Sequence, residues 1–144
     1  MGYTPMTEDE WQAFLRSPVR PAILATVRKD GRPHATPVWY DVDDDGTIVF
    51  TTHETSVKGA AVRRDGRVSL CVQDDRPPFS FVMVEGRAEA SADPEDLRRW
   101  AARIGGRYMG ADQAEAYGAR NGVPGELVVR VTPAHVVALK DVAL

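Results

Sequence analysis

The apolar residues of this chain come in short runs separated by tight-turn signals, and this spacing restricts the fold more than any other feature. Ala22–Val27 is a continuous apolar run of strand length, and Asp30-Gly31 follows it as a strong hairpin signal. Residues 43–46, three aspartates and a glycine, make another turn before the run at 47–52. Successive hairpins predict an antiparallel sheet, because a doubly wound parallel sheet needs strands that alternate regularly with helices.

The predicted elements together indicate a mainly β fold with helices at its periphery. Strands are predicted at residues 22–27, 34–41, 47–52, 67–73, 79–89, 126–131 and 135–140. Helices are predicted at residues 7–16, from Thr55 or Ser56 to Arg64, from Asp93 to a break at Gly105-Gly106, and at 112–118. Because hairpin-length turns join most of the strands, we expect a small antiparallel barrel or a strongly bent sheet of six to seven strands.

Local signals define two helix starts and one strand position. Thr7 and Glu10 fit a capping box, in which each side chain accepts a hydrogen bond from a free backbone amide. Asp93 precedes Pro94, which suits a capping residue followed by the first helical position. Pro37 removes a donor from the strand at 34–41, which predicts an edge, a bulge or a place where something other than a strand pairs.

Composition narrows the classes of protein and of site. The 144 residues have the size of one domain, and residues 1–144 show no internal boundary. A net charge of −3 argues against a whole-surface nucleic-acid binder. The single cysteine, Cys71, excludes an internal disulfide, and the three separated histidines give no metal-ligand spacing. No apolar stretch approaches the roughly 20 residues that span a bilayer, so we expect no membrane association and a cytoplasmic protein.

The segment from residue 49 to residue 58 has the composition of an anion site. A strand carries the hydroxyls of Thr51 and Thr52, and a short loop leads into a helix whose first turn holds Ser56 and Lys58. A helix N-terminus presents free amides and positive potential, and the lysine adds a point charge, so the segment predicts phosphate binding. A capped surface helix with a solvated lysine would show the same pattern.

A series of motifs extends this interpretation over residues 10–90. It runs through Leu24-Ala25-Thr26-Val27, residues 30–39 (DGRPHATPVW), Phe50-Thr51-Thr52, Ser56-Val57-Lys58, residues 63–70 (RRDGRVSL) and Val84-Glu85-Gly86-Arg87-Ala88. In this order the motifs resemble the pyridoxamine 5′-phosphate oxidase-like split-barrel proteins, specifically the flavin/deazaflavin (F420)-dependent oxidoreductases of actinobacteria. The resemblance implies an antiparallel split β-barrel of the FMN-binding type, which forms a homodimer with a cofactor in each groove between subunits.

The resemblance also implies roles for individual residues. Those expected to hold the cofactor phosphate are Thr51, Thr52, Ser56, Val57 and Lys58, and those expected to lie along the cofactor ring are Thr36, Pro37, Val38 and Trp39. Lys58 matches the family's phosphate lysine. Val57 departs from the family, whose oxidases have an arginine there, and Arg63 or Arg64 could replace that charge. Residues 79–82 (FSFV) lack the glutamine that those oxidases place near the ring.

These features imply coenzyme F420 as the cofactor, and the function expected is an F420H2-dependent reductase that transfers a hydride to a small unsaturated organic acceptor. The alternatives are an FMN-dependent oxidoreductase on the same fold and a non-catalytic binder of a flavin, haem or tetrapyrrole. Solvent can protonate the product, and candidate acids are Tyr40, His53 and Tyr108. Four arginines make a basic stripe on the predicted helix after Asp93, which is either a solvated face or an attractor of anions: Arg98, Arg99, Arg103 and Arg107.

Overall fold

The computed structural model describes residues 3–144, and within them the chain forms eight strands and four α-helices. The strands are β1 (Thr4–Pro5), β2 (Ala22–Val27), β3 (Pro33–Val38), β4 (Asp41–Val42), β5 (Ile48–His53), β6 (Arg67–Asp74), β7 (Ser80–Ser91) and β8 (Glu126–Lys140). The helices are α1 (Glu8–Arg16), α2 (Val57–Arg64), α3 (Pro94–Met109) and α4 (Ala114–Asn121), with a 3₁₀ turn at Ala111–Gln113. None of the helices in this part of the chain is long and apolar enough to cross a membrane.

All the strands belong to one antiparallel sheet. Its order is β3-β2-β6-β7-β8-β5-β4, and β1 pairs with β8 beside this path. The two edge strands, β3 and β4, are consecutive in the chain and are separated only by Trp39 and Tyr40. The sheet therefore curls until its two edges approach each other without pairing. This confirms the predicted mainly β class and the split barrel with peripheral helices.

The predicted strand at 34–41 is wrong in one respect, because two strands occupy it. β3 ends at Val38, and β4 begins at Asp41 on the opposite edge of the sheet. Between them the amide of Tyr40 donates to the hydroxyl of Tyr108 at 3.1 Å, so a side chain replaces the strand partner. The edge position predicted from Pro37 is confirmed, since β3 pairs only through β2 on the sheet path.

The two closing strands predicted at 126–131 and 135–140 are one continuous strand, β8. It pairs with β5 over its first half and with β7 over nearly its whole length. A register shift between Glu85 and Gly86 absorbs the extra residue near Pro133. Gly86 permits this close approach, because a Cβ there would lie 2.3 Å from the Thr132 carbonyl oxygen.

The predicted helix break at Gly105-Gly106 is also wrong, because α3 continues through both glycines to Met109. The glycines serve a tertiary contact instead. A Cβ on Gly105 would lie 2.2 Å from Cβ of Tyr117, and one on Gly106 would lie 2.9 Å from Cβ of Ala114. The two glycines therefore let α4 pack directly on α3.

The interior of the barrel is apolar, and α1 and α2 pack beside it. Leu24, Tyr40, Phe50 and Val84 are among its fully buried side chains. A second cluster lies where α3 covers the outside of β5 and β8; it consists of Val49, Leu97, Trp100 and Val128. The predicted caps are confirmed, since Thr7 and Glu10 form the capping box of α1 and Asp93 caps α3. Ser56 caps α2.

Candidate functional site

A small cavity of about 250 Å³ lies where the barrel is split. Five of the residues predicted to bind a cofactor line it: Pro37, Val38 and Trp39 from the end of β3, Thr51 from β5, and Lys58 from the first turn of α2. The helical hairpin formed by α3 and α4 closes the opposite side with Ala101, Ile104, Gly105 and Asn121. The cavity thus has an aromatic and aliphatic wall with one cation at its rim.

The indole of Trp39 has a defined orientation in this wall. It stacks on the ring of Tyr108 with centroids 4.9 Å apart and planes within 3° of parallel. Tyr117 approaches it at 6.0 Å with a tilt of 53°. Trp39 nevertheless remains 39% exposed, so the faces and edges not covered by the two tyrosines are accessible.

A larger open cleft of about 650 Å³ lies on the other side of the α2 N-terminus. The turn between β2 and β3 contributes Arg28, Lys29, Asp30 and Arg32, and the loop and helix contribute Thr55, Ser56, Val57, Ala60 and Arg64. Asp30 is paired with Arg32 at 2.7 Å. Four basic residues against one carboxylate make this a basic cleft.

The first turn of α2 separates the aromatic cavity from the basic cleft. Ser56 fixes this turn, because its Oγ accepts from the amide of Gly59 at 3.0 Å and donates to the His53 carbonyl at 2.7 Å. The hydroxyl of Thr52 lies 2.9 Å from the same Oγ, so Thr52 donates to Ser56. Both hydroxyls are therefore occupied by the helix cap. The amides of Val57 and Lys58 are left free by helix geometry.

The β2–β3 hairpin carries buried polar atoms that have no hydrogen-bond partner within the described chain. They are Oγ1 of Thr26, Nε of Arg28, Nδ1 of His34 and Oγ1 of Thr36. Thr26 is directly opposite His34, and Leu24 is opposite Thr36, so these side chains share the inward face of the sheet. Unsatisfied buried polar groups are uncommon in folded proteins. Of these four residues only Arg28 lines the basic cleft, whereas Thr26, His34 and Thr36 face the interior of the sheet.

The two arginines considered as substitutes for Val57 lie in different settings. Arg64 lines the basic cleft and donates to the Val27 carbonyl at 2.6 Å, which ties the end of α2 to β2. Arg63 is exposed and pairs with Glu54 at 3.6 Å. Arg64 is therefore at the basic cleft, whereas Arg63 lines neither the cleft nor the aromatic cavity.

The three candidate acids all lie outside the lining of the aromatic cavity. Tyr40 is fully buried, its hydroxyl donates to the Leu15 carbonyl at 2.6 Å, and burial raises its pKa to about 12. The hydroxyl of Tyr108 donates to the Arg20 carbonyl at 2.7 Å, and burial raises its pKa as well. Nδ1 of His53 lies 2.8 Å from Oγ1 of Thr55. The two tyrosines are thus committed to backbone partners.

Two arginines of the α3 stripe, Arg103 and Arg107, hold the helix to the rest of the protein. Arg103 and Arg107 both pair with Asp41, at 3.3 and 3.7 Å. Arg107 also donates to the Leu15 and Arg16 carbonyls at the end of α1. Arg99 lies 3.7 Å from Asp96 one turn earlier. Two of the four stripe arginines therefore have structural roles between elements, and Arg99 pairs within its own helix.

Sequence reasoning missed two sets of lining residues. The first is the wall from α3 and α4, since Ala101 and Ile104 have the spacing of an ordinary core-facing helix side. The second is the basic side of the β2–β3 turn. A signal for the second was present, because Arg28, Lys29 and Arg32 surround the Asp30-Gly31 turn.

Comparisons with known proteins agree with this architecture. The family model described as pyridoxamine 5′-phosphate oxidase matches residues 7–140. Two pyridoxine/pyridoxamine 5′-phosphate oxidases from Myxococcus xanthus are each 38% identical to the chain over 90 residues, which is 62% of this chain. That match covers 43% of one relative and 40% of the other, so the chain matches only about two-fifths of the length of these curated relatives.

Solved structures share the fold over nearly the whole chain. The conserved hypothetical protein Rv2991 from Mycobacterium tuberculosis has a TM-score of 0.83 at 31% identity, covering 96% of this chain and 89% of that one. An F420 reductase has a TM-score of 0.68 at 24% identity, covering 87% of this chain and 94% of that one. The second likeness concerns the fold alone.

Proposed function

Because the chain belongs to the pyridoxamine 5′-phosphate oxidase family, we propose that it is an oxidoreductase that binds a flavin-type cofactor where the barrel is split. More specifically, we propose that it is an F420H2-dependent reductase that transfers a hydride to a small unsaturated organic acceptor. The observation that carries this proposal is the pair of chambers at the first turn of α2, one aromatic and one basic.

The two chambers suit the two chemical parts of such a cofactor. A flat ring fits the aromatic cavity between the end of β3 and the α3–α4 hairpin, where Val38, Trp39 and Ile104 offer apolar contacts. A phosphate fits the turn between the chambers, where Lys58 and the free amides of Val57 and Lys58 supply positive potential. Thr51 adds a hydroxyl at the cavity wall. The partnerless polar atoms of His34 and Thr36 lie on the neighbouring hairpin.

This arrangement indicates what the cofactor contributes to the proposed reaction and what the protein contributes. Reduced F420 supplies a hydride when bound, so the protein needs to hold and orient it rather than perform the chemistry itself. The backbone of Pro37–Trp39 would orient the ring, Lys58 would neutralise the phosphate, and the α3–α4 wall would shield the reacting face from water. Because the two candidate tyrosines are bonded to carbonyl oxygens, we propose that the product takes its proton from solvent.

The basic cleft favours F420 over FMN. FMN ends at its phosphate, which Lys58 and two helix amides can neutralise. F420 continues into an anionic oligoglutamate tail, and such a tail requires cations beyond the phosphate site. The cleft supplies Arg28, Lys29, Arg32 and Arg64 immediately past the α2 N-terminus. An FMN-dependent oxidoreductase is the second candidate, because the first turn of α2 with Lys58 also suits a cofactor that ends at its phosphate.

We further propose that the protein is a homodimer. A row of apolar or weakly polar side chains crosses the outer face of five paired strands: Pro37, Ile23, Cys71, Met83 and Val137. Each of these residues is directly opposite the next one across a pair of strands, which places all five on one face of the sheet. None of them is fully buried. The row begins at Pro37, which also lines the aromatic cavity. A second copy covering this row would bury the apolar face and reach the rim of the cavity.

Parallel titrations with F420 and FMN test the proposed function. The titrations follow the quenching or polarisation of ligand fluorescence. F420 should bind with a dissociation constant in the micromolar range or below, and FMN should bind much more weakly. Tighter binding of FMN would instead support the FMN-dependent enzyme. Failure of both ligands to bind would contradict the cofactor site, and a haem or tetrapyrrole titration followed by its Soret band would then test the carrier alternative.

A further inference from the structure

The aromatic wall contains a side-chain arrangement that has no role in the barrel core. Trp39 leaves the end of an edge strand and remains 39% exposed, although an indole on the surface forgoes a large burial energy. Tyr108 covers one of its faces in a parallel stack at 4.9 Å. We propose that Trp39 is a stacking surface for a flat conjugated ring in this cavity, and that Tyr108 is the positioning residue that holds it.

Tyr108 is suited to this role because its hydroxyl both accepts a hydrogen bond from the backbone and donates one to it. The hydroxyl accepts from the Tyr40 amide at 3.1 Å and donates to the Arg20 carbonyl at 2.7 Å. Tyr40 follows Trp39 directly, so one side chain fixes both the backbone beside Trp39 and the plane of its indole. The offset-stacked geometry is the one that aromatic pairs prefer.

The helical hairpin makes the same wall rigid from the other side. Tyr117 is held against Gly105 so closely that no Cβ could be placed between them, and its ring centroid lies 6.0 Å from that of Trp39. A wall whose aromatic groups are already ordered loses little side-chain entropy when a ligand stacks on it. A flat ring is favoured, because it makes the largest contact with the part of a fixed indole that the two tyrosines leave exposed.

The flat ring has two sources within the proposed function, on which this inference rests: the cofactor and the acceptor. Both have the same chemistry toward an indole face, so variants must separate them. A cofactor ring on Trp39 changes the dissociation constant of the cofactor. An acceptor on Trp39 leaves that constant unchanged and raises KM for the acceptor, with little change in kcat.

The test uses the full chain and three variants, Trp39→Leu, Trp39→Phe and Tyr108→Phe. The ring probes are riboflavin, which has the ring without a phosphate, and resorufin, a flat anionic dye outside both cofactor classes. Menadione with F420H2 serves as the acceptor probe. The matched control is Trp11→Leu, because Trp11 lies on α1 and does not line the cavity. Urea unfolding establishes that each variant is folded.

Trp39→Leu should raise either the riboflavin dissociation constant or the menadione KM about 3- to 10-fold, the range of one aromatic stack. Trp39→Phe should restore most of the loss. Tyr108→Phe keeps the stacked ring but loses both hydrogen bonds; it should raise the same constant and weaken the Trp39 band in near-ultraviolet circular dichroism. A change in stability alone in Tyr108→Phe would overturn its positioning role.

The remaining outcomes separate this inference from the proposed function. If Trp39→Leu leaves both constants within twofold of wild type, or if Trp11→Leu has the same effect, the stacking surface is refuted. If wild type binds neither riboflavin nor resorufin, it is refuted as well. If wild type binds resorufin through Trp39 but binds neither F420 nor FMN, the stacking surface stands and the proposed function fails.

Discussion

Val57 and Lys58 are neighbours in the chain, yet Val57 lines the basic cleft and Lys58 lines the aromatic cavity. Successive residues of an α-helix point about 100° apart, so the first turn of α2 divides the two chambers. Lys58 therefore faces the chamber where the ring is proposed to lie, while the position that is arginine in the family's oxidases faces the cations of the hairpin turn. Lys58 and the cations of the basic cleft can therefore be tested by separate substitutions.

Lys58→Ala should weaken the binding of FMN and F420 alike, because both carry a phosphate. A charge-assisted hydrogen bond contributes about 1.5–3 kcal/mol, or roughly 10- to 100-fold in the dissociation constant. Fluorescence titration measures it, and Lys58→Arg, which keeps the charge, is the matched control. An unchanged dissociation constant in Lys58→Ala would remove the lysine from the phosphate site.

Arg28→Ala combined with Lys29→Ala should weaken F420 binding by roughly tenfold while leaving FMN binding near wild type. The reason is that these cations lie in the basic cleft and not in the aromatic cavity that Lys58 lines. The F420 constant of wild type should also depend more steeply on salt than that of the variant, since screened charges lose their attraction. Arg76→Ala is the control, because Arg76 is exposed and lies outside the cleft. Equal losses for both ligands would contradict the assignment of the cleft to the tail.

Ile23→Arg should convert the proposed dimer into a monomer in light scattering, because it places a charge in the apolar row between Pro37 and Cys71. Val123→Arg is a matched control, since Ile23 is 45% exposed and Val123 is 40% exposed, and Val123 lies in the loop before β8. The only thiol, Cys71, pairs in register with Ile23. It should react slowly with a thiol reagent in wild type and faster in Ile23→Arg. A wild-type protein that is monomeric and still binds cofactor would contradict the proposed homodimer.

Gly105→Ala should destabilise the protein by about 1–3 kcal/mol, although the same change in a free helix stabilises it by about 1 kcal/mol. The added Cβ would lie 2.2 Å from Cβ of Tyr117, and both atoms are held close to backbone. Gly118→Ala is a graded comparison, because its Cβ would lie 3.0 Å from Cβ of Ala102. Urea unfolding measures both variants, and a gain in stability for Gly105→Ala would contradict the packing of the hairpin.

The ion pair between Asp96 and Arg130 should make stability depend on acid pH. Nη1 and Nη2 of Arg130 each donate to one carboxylate oxygen of Asp96 at 2.7 Å, and this hydrogen bonding lowers the pKa of Asp96. A lowered folded-state pKa means that the contribution is fully present above the ordinary carboxyl pKa and is lost as the pH falls through the lowered one. Asp96→Asn should therefore cost about 1–2 kcal/mol at pH 7. The difference between wild type and variant should shrink below about pH 4, and a difference independent of pH would assign the loss to packing.

Sequence reasoning reached the elements whose causes are local. The capping box of Thr7 and Glu10 and the edge position of Pro37 follow from hydrogen-bond donors that can be counted along the chain. The order of hairpins and helices predicted a small antiparallel barrel or a strongly bent sheet, and the resemblance of the motif series then implied a split barrel. Five predicted site residues meet in the aromatic cavity because the curled sheet brings the end of β3 beside β5 and α2.

The features that were missed have distant causes. Gly105-Gly106 reads as a helix break, and only the packing of Tyr117 and Ala114 from α4 explains why the helix continues. The end of β3 at Val38 depends on a hydroxyl 68 positions later, on Tyr108. No local pattern contains either contact, so the α3–α4 wall of the cavity could not be predicted.

The two edges of the split sheet are joined by a very short piece of chain. Only Trp39 and Tyr40 separate the last residue of β3 from the first residue of β4. Three successive Cα–Cα steps span at most about 11 Å, which sets an upper limit on the gap between the edges at that level. A ligand therefore cannot enter at this level by moving the two edges further apart. Added residues at 39–40 would remove this limit on the gap between the edges. Added residues in the turn at 43–46 would not affect it.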